Sequence, residues 1–349
     1  MTMSIEMKTC VEERYNLCKY LYLIKKDSDM KNLDKDEKNT VNMDIFAIPS
    51  HIEKLFGEFL KTPKCTHVAD MKGHTRSISC LTTHGNKLYS GGGTCDGTLR
   101  VWNTDTYEEI LVVDYGVGTF LTCITVHENK LHVACGNGII RVLDIETYDT
   151  IAILRQSHPS SISSIVHDGD MLYCATGYGN IHVWNTSTYK EITTLIGHPR
   201  NFNLCLALRE DTLYSGCGSG TINVWNTKTY EKIVTLTGHT EVVRCIVIHG
   251  DKMFSGSWDN TIIVWNINTH ERITTLEGHT SSVTGLKIHK NQLYSVSNDK
   301  TIRIWDMENY KEKAVLTRNI HMLECCEFAI HDNRVYTGSM DKMIRAWTI

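Results

Sequence analysis

The 349-residue chain has no long apolar run, little proline and no excess of either charge. No stretch approaches the roughly 20 apolar residues that cross a bilayer as a helix. The opening MTMSIEMKTC is not a basic segment followed by an apolar one, so neither a membrane span nor a secretory leader is expected. A formal net charge of −4, from 36 basic and 40 acidic residues, leaves no basic surplus for a phosphate backbone, and nucleic-acid binding is not expected. The thirteen cysteines are odd in number and follow no disulfide or zinc spacing. Even the neighbours Cys325 and Cys326 would alternate between the faces of a strand. They read as reduced thiols of an intracellular protein, expected in the cytoplasm with the nucleus left open. Four prolines against 24 glycines, with Tyr, Val, Ile and Thr common after residue 65, suit many short strands joined by tight turns.

What is present is a period. Trp102, Trp184, Trp225, Trp265, Trp305 and Trp347 are separated by 82, 41, 40, 40 and 42 residues. The first gap is two periods with Leu143 at its midpoint, and around Leu143 the pattern persists. Ile139, Ile140 and Val142 stand where Thr261, Ile262 and Val264 stand before Trp265, and ETYDTIAIL follows as KTYEKIVTL follows Trp225. The stretch LHVACGNGIIRVLD is therefore a repeat without its tryptophan, and the count is seven. A unit this small cannot bury its own apolar face and must stack on neighbours.

Alternation and turn residues divide one unit into four strands, taken in the fifth as about 242–248, 252–256, 261–266 and 271–276. We call these a, b, c and d. Seven such sheets set radially make an all-β, seven-bladed propeller of four-stranded antiparallel blades over residues 63–349. The last unit ends at Ile349, straight after its strand c, whereas residues 65–71 precede the first unit in the place of a strand d. They are expected to cross over and complete the final blade, removing an open edge.

The recurring polar residues can form a chain. A buried Trp on strand c has one N–H to donate. A Ser or Thr on strand b can accept it and donate its own proton to a His, whose other nitrogen meets an Asp in the b–c turn. The units GHTEVVRC, MFSGSWDNTIIVWN, GHTSSVTG and LYSVSNDKTIRIWD, with GH at the start, a SGSxD-like turn and a WD or WN end, resemble WD40 repeats of the β-transducin type. In looser features they are similar to the repeats of F-box/WD proteins and myosin heavy chain kinases, although neither an F-box nor a kinase domain is visible. In that family the His, Ser or Thr, Asp and Trp residues are structural. The resemblance carries this role to His74, Ser90, Asp96 and Trp102; to His239, Ser255, Asp259 and Trp265; to His279, Ser295, Asp299 and Trp305; and to His321, Thr337, Asp341 and Trp347, where GH has become IH.

Three adjacent units depart from the pattern. The second has Val133, Asn137 and Leu143 and no His in register. The third keeps His158 and Trp184 but has Cys174 and Tyr178. The fourth keeps His198, Ser215 and Trp225 but has Ser219 for Asp. Blades two to four are expected to be the less stable arc.

Repetition also argues against catalysis and metal binding. A Ser–His–Asp trio occurs in three units, whereas an enzyme needs one site with an exposed nucleophile. His84, His127, His167, His249, His289 and His331 fall at or beside the a–b turn of different units, which distributes them around a ring in structural or solvated roles. The glycines of YSGGGTCDGT lack the helix and Lys-Ser/Thr pair of a phosphate loop and read as a b–c turn two residues longer. No cofactor or metal is expected.

Function is then expected on the face where d–a loops and b–c turns emerge, the usual place for peptide or protein partners in the resembling proteins. The candidates are Arg76, Arg200 and Glu241 after the GH site, and Cys95, Trp258, Asn298 and Met340 before the Asp register, with Tyr178 in that register. Trp258 stands out, since the repeat needs no aromatic beside Asp259 and aromatics anchor interfaces. Arg76 and Arg200 are solvated charges or contacts for acidic or phosphorylated ligands.

Residues 1–62 differ in composition. Val11, Tyr15, Cys18 and Tyr22 form one helical stripe, KKDSDMKNLDKDEKNT is a polar tether, and SHIEKLFGEFL is a second, amphipathic helix capped by Ser50 and Glu53. The helix would pack on the propeller, on a partner or on a second copy, or last on a membrane, its polar face being weakly basic. The expected function is a non-catalytic interaction scaffold or adaptor. The alternatives are a recognition or targeting component of a ubiquitin ligase or kinase complex and, third, a propeller enzyme.

Overall fold

Each unit carries two strands apolar on both faces and two that are not, and this difference sets their order from the axis outward. In the computed structural model, which describes residues 66–116, 118–156, 160–197, 203–316 and 325–349, strand b is buried along almost its whole length, as in Lys252–Ser257. Strand c, as in Ile262–Asn266, is nearly as buried. Strand a, Val243–His249, buries Val243 and Ile246 and faces a central channel with Arg244, Cys245 and Val247, and strand d, Arg272–Leu276, is exposed or half-buried at the rim except at Leu276. Seven four-stranded antiparallel sheets repeat this order. The helices and tether expected in 1–62 lie outside the described residues, as do His158, His198, Arg200 and His321.

The unit without tryptophan is a full blade: Leu121–His127, Lys130–Cys135, Ile139–Asp144 and Thr150–Arg155. Its pairing shifts between Val142 and Leu143, as pairing shifts between Val264 and Trp265 in blade five. Leu143 and Val133 are both fully buried, so apolar side chains occupy the space of the Trp and Ser.

The ring closes as expected, with one residue of difference. The closing strand is Thr66–Lys72, and it pairs antiparallel with Met343–Thr348, from Thr66 opposite Thr348 to Lys72 opposite Met343. Met71, 2% exposed, joins Ile78, Leu81, Tyr336 and Ile344 in one core between the last and first blades.

On the opposite face from the b–c turns, each c–d turn is tied by hydrogen bonds to an Asn or Asp at the end of strand c. Asn103 accepts from the Asp105 and Thr106 amides, and Asp144 from Glu146 and Thr147. The turn ends on a Tyr with positive φ, 63° at both Tyr107 and Tyr148, except in blade five, where His270 takes the place at 60°. That conformation is costly for a bulky residue, and ring contacts accompany it. Lys87 lies over Tyr148, Lys130 over Tyr189, Lys252 over Tyr310 and Arg334 over Tyr107, each cation reaching from one blade to the next. Arg334 also donates to the Thr104 carbonyl, a second staple across the closing seam.

Closure predicts a position-specific cost. Deleting residues 66–72 is expected to lower the urea midpoint far more than deleting 1–62, and Met71→Ala alone to cost about 2–5 kcal/mol. Equal midpoints for the two deletions would show that the last seam is held by other means.

Candidate functional site

Among the described residues, three blades hold the complete polar chain. In blade one Trp102 Nε1 donates to Ser90 Oγ at 2.8 Å, His74 Nε2 lies 2.7 Å from Ser90 Oγ, and His74 Nδ1 lies 3.1 Å from Asp96. In blade five the same steps measure 2.8, 2.8 and 2.7 Å through Trp265, Ser255, His239 and Asp259. In blade six they measure 2.8, 2.7 and 2.8 Å through Trp305, Ser295, His279 and Asp299. Burial pushes His74 and His279 below the ordinary His value, only partly offset by their Asp partners. Burial would raise the Asp96 carboxyl, but hydrogen bonds from Thr98, His74 and the Thr75 amide outweigh it and hold it below the usual carboxylate range. A neutral His beside an ionised Asp fixes the direction: the Trp indole donates to Ser, Ser to Nε2, and Nδ1–H to the carboxylate.

Local geometry explains the flanking residues. A Cβ on Gly238 would sit 2.9 Å from the Trp265 ring, so the Gly of GH admits the indole. A Cβ on Gly92 would collide with the Asp96 carboxylate. The glycines of the long b–c turn thus let Asp96 reach His74. Ser90, Ser255 and Ser295 are wholly buried, which leaves these trios without an accessible nucleophile.

The other blades differ as their sequences do. In blade seven Trp347 donates to Thr337 at 3.1 Å, whereas Asp341 bonds to Ser339 and Arg345 and not to a His among the described residues. Its expected partner, His321, lies outside the described residues. In blades one and six the matching arginines, Arg100 and Arg303, pair with Glu109 and Glu312 on their own strand d. Blade seven takes its strand d from Thr66–Lys72, which offers His67 opposite Trp347, so Arg345 turns to Asp341 and Asp70. In blade four Trp225 still donates to Ser215 at 3.0 Å, and Ser219 bonds to Thr221. In blade three the Trp184 indole N–H is buried without a partner, and burial pushes the Cys174 thiol up to about 12, so it stays neutral. Blade two substitutes Arg141 stacked 4.7 Å over Tyr115.

One histidine expectation also needs correction. His127 and His167 do not stay apart around the ring: they stack at 4.5 Å with 3° between planes, and His132 lies 4.4 Å from His167. His132 takes the place of Tyr89, Tyr173 or Phe254 in other blades, and the smaller ring lets the three meet at the seam of blades two and three. Both nitrogens of His132 and of His167 are buried without a partner. Burial, then the neighbouring histidines, lower His132 to about 3 and His167 to about 2.

The candidate binding residues gather on the loop face. Arg76, Glu241 and Asn298 are exposed, as are Cys95, Tyr178, Trp258 and Met340. The b–c turns carrying Trp258 and Asn298 are held by amide bonds to Val242 and Ser282 in the d–a loops. Sequence reasoning missed Ile196. It is 75% exposed and precedes Gly197 where Lys72, Thr237 and Glu277 precede glycine in other units, a single apolar residue in a polar register. With Tyr178, Asn180, His182 and Thr194 it borders a cavity of about 280 Å³. His182 there bonds to Glu191 at 2.6 Å.

Comparison with known proteins agrees with this geometry. The family model "WD domain, G-beta repeat" (WD40) matches residues 63–103, 230–266 and 270–306, the segments of the three complete chains. No curated protein matches. Among solved structures, the computationally designed Ika8 protein is similar with a TM-score of 0.65 and 23% identity, over 81% of this chain and 99% of its own, a likeness of fold. The matches point to no one kind of WD40 protein, F-box/WD proteins and myosin heavy chain kinases included. The chain carries WD40 repeats and folds as a seven-bladed β-propeller.

Two outcomes follow from the uneven chains. Amide hydrogen exchange is expected to be faster in blades two to four than in five and six, by on the order of 1–3 kcal/mol of opening free energy; equal protection would contradict it. The second concerns acid. The lowered histidines bind protons in the unfolded chain before they do in the folded one, so their cost is absent above about pH 6.5 and grows as pH falls toward 3. His132→Phe is expected to flatten the loss of stability between those values by up to about 1.4 kcal/mol per pH unit. Unchanged slopes in urea unfolding would assign the acid sensitivity elsewhere.

Proposed function

We propose that this WD40-repeat propeller is a non-catalytic scaffold or adaptor that holds a peptide or protein partner on its loop face. WD40 propellers generally serve as protein-interaction scaffolds, and what carries the reading here is the kind of residue exposed on that face. Outer-strand side chains such as Ile110, Ile151, Ile192, Ile233 and Ile273 are exposed in blade after blade, as alternation along a rim strand dictates. Tyr178, Ile196, Trp258 and Met340, 48–75% exposed, do not recur, and no polar chain or seam uses them. Single-copy apolar anchors among polar neighbours are what an interface core requires.

Two anchoring regions result. Tyr178 and Ile196 flank the cavity in blade three, where loss of the polar chain freed the b–c turn from holding an Asp. Trp258 and Asn298 sit on adjacent, rigidly bonded turns in blades five and six. Arg76 and Glu241 are the neighbouring charges that would orient a partner. Cys95, Cys135, Cys174 and Cys205 are free thiols, which supports a reducing, intracellular setting.

Affinity capture with the whole chain tests this. Partners held by the wild type are expected to weaken on the order of tenfold or more with Trp258→Ala or with Tyr178→Ala, while unfolding midpoints stay close to the wild type. Partners retained at full strength by both variants would remove the loop face from the account.

A further inference from the structure

The central channel is lined by the inner strands of the blades and holds a cavity of about 290 Å³. Among the described residues that line it are two cations, Arg244 and Lys287, and no carboxylate. Both are half-buried. The buried or half-buried Arg100, Arg303 and Arg345 each form an ion pair, and the half-buried Arg141 stacks on Tyr115. Arg244 and Lys287 form neither an ion pair nor a hydrogen bond with any described residue. The chain as a whole carries −4, so two cations on the described channel wall do not follow from general basicity. Withdrawing charge from water without a partner is unfavourable, and two such charges in one confined space repel each other.

We propose that the channel binds a small phosphate compound with two or more negative charges, held by Arg244 and Lys287. The register supplies the geometry. Lys287 lies opposite Tyr294, as Thr82 lies opposite Tyr89 and Thr125 opposite His132, so these three share one level of the channel. The Thr82 and Thr125 hydroxyls have no protein hydrogen bond among the described residues and can donate to an anion. Arg244 is level with Thr284 on the neighbouring inner strand. It therefore sits three residues, or roughly 10 Å of strand, from the Lys287 level. A single anionic group meets one cation, whereas a compound with two phosphates spans both. Arginine offers a planar fork of donors to phosphate oxygens and lysine a compact point charge. The cavity would hold about ten waters at ~30 Å³ each, room for a pyrophosphate or a small phosphate ester. A narrow cleft lined by one sign of charge also concentrates counter-ions.

The test is a titration of the full chain with pyrophosphate, inorganic phosphate and an acidic peptide, read by calorimetry and thermal unfolding at low and high salt. Pyrophosphate is expected to bind saturably, more tightly than inorganic phosphate, and to raise the unfolding midpoint. Arg244→Met and Lys287→Met are each expected to weaken it by about tenfold or more, and the double variant to abolish the shift. Arg272→Met, an exposed arginine on an outer strand, is expected to leave it intact. If the double variant does not fold, the single variants decide the question. Without anion, each single variant is expected to unfold no earlier than the wild type, since it removes a cation with no ion-pair partner among the described residues. No saturable binding, equal binding by the single variants, phosphate binding as tightly as pyrophosphate, or a response confined to the acidic peptide would each overturn the proposal.

Discussion

A four-stranded blade cannot cover its own two faces, so each must be sealed against two neighbours, and a ring is only as stable as its last seam. That constraint accounts for the most unusual connection in the molecule, the pairing of Thr66–Lys72 with Met343–Thr348. The same seam carries the Met71 core and the Arg334 contacts to Tyr107 and Thr104. Apolar packing fills the interior of the ring, while cation–ring staples hold the turns on one face. The opposite face is left free of that duty except where the polar chains reach it.

Those chains explain the distribution of sequence freedom. Where Trp, Ser, His and Asp are all present, each buried polar atom has a partner, and replacing any one orphans the rest. Blade two escapes by losing Ser and Trp together, with Val133 and Leu143 asking for nothing. Blade three does not escape: Trp184 keeps an N–H that Cys174 meets poorly. The blades without an Asp are also free to carry Tyr178 or Ser219 in the b–c turn. Loss of a structural chain and gain of a distinctive surface residue coincide at blade three.

Much of this was legible in the sequence because it depends on local period. The seven units, the tryptophan-free second unit and the crossing strand follow from spacing and polarity, and the members of the three full chains from the resemblance to WD40 repeats. What was not legible depends on what lies across a seam. Asp341 reads as a partner of His321 by repeat register. Only the closing strand reveals that Arg345 has no Glu beside it and pairs with Asp341 and Asp70. His127, His132 and His167 lie in separate strands, and their meeting needs the packing of adjacent blades, although His132 in a Tyr position was a visible irregularity. Ile196 was visible in the same way, an apolar residue where other units are polar.

The proposed function depends most on the assignment of faces: one face holds the ring together and the other is proposed to hold a partner. A hydrogen-exchange footprint of the chain with a captured partner bound measures this directly. Protection is expected around Tyr178, Ile196 and the Trp258 turn, with the c–d turns unchanged. Protection confined to the outer strands or to the turns that carry Tyr107, Tyr148 and Tyr310 would contradict it.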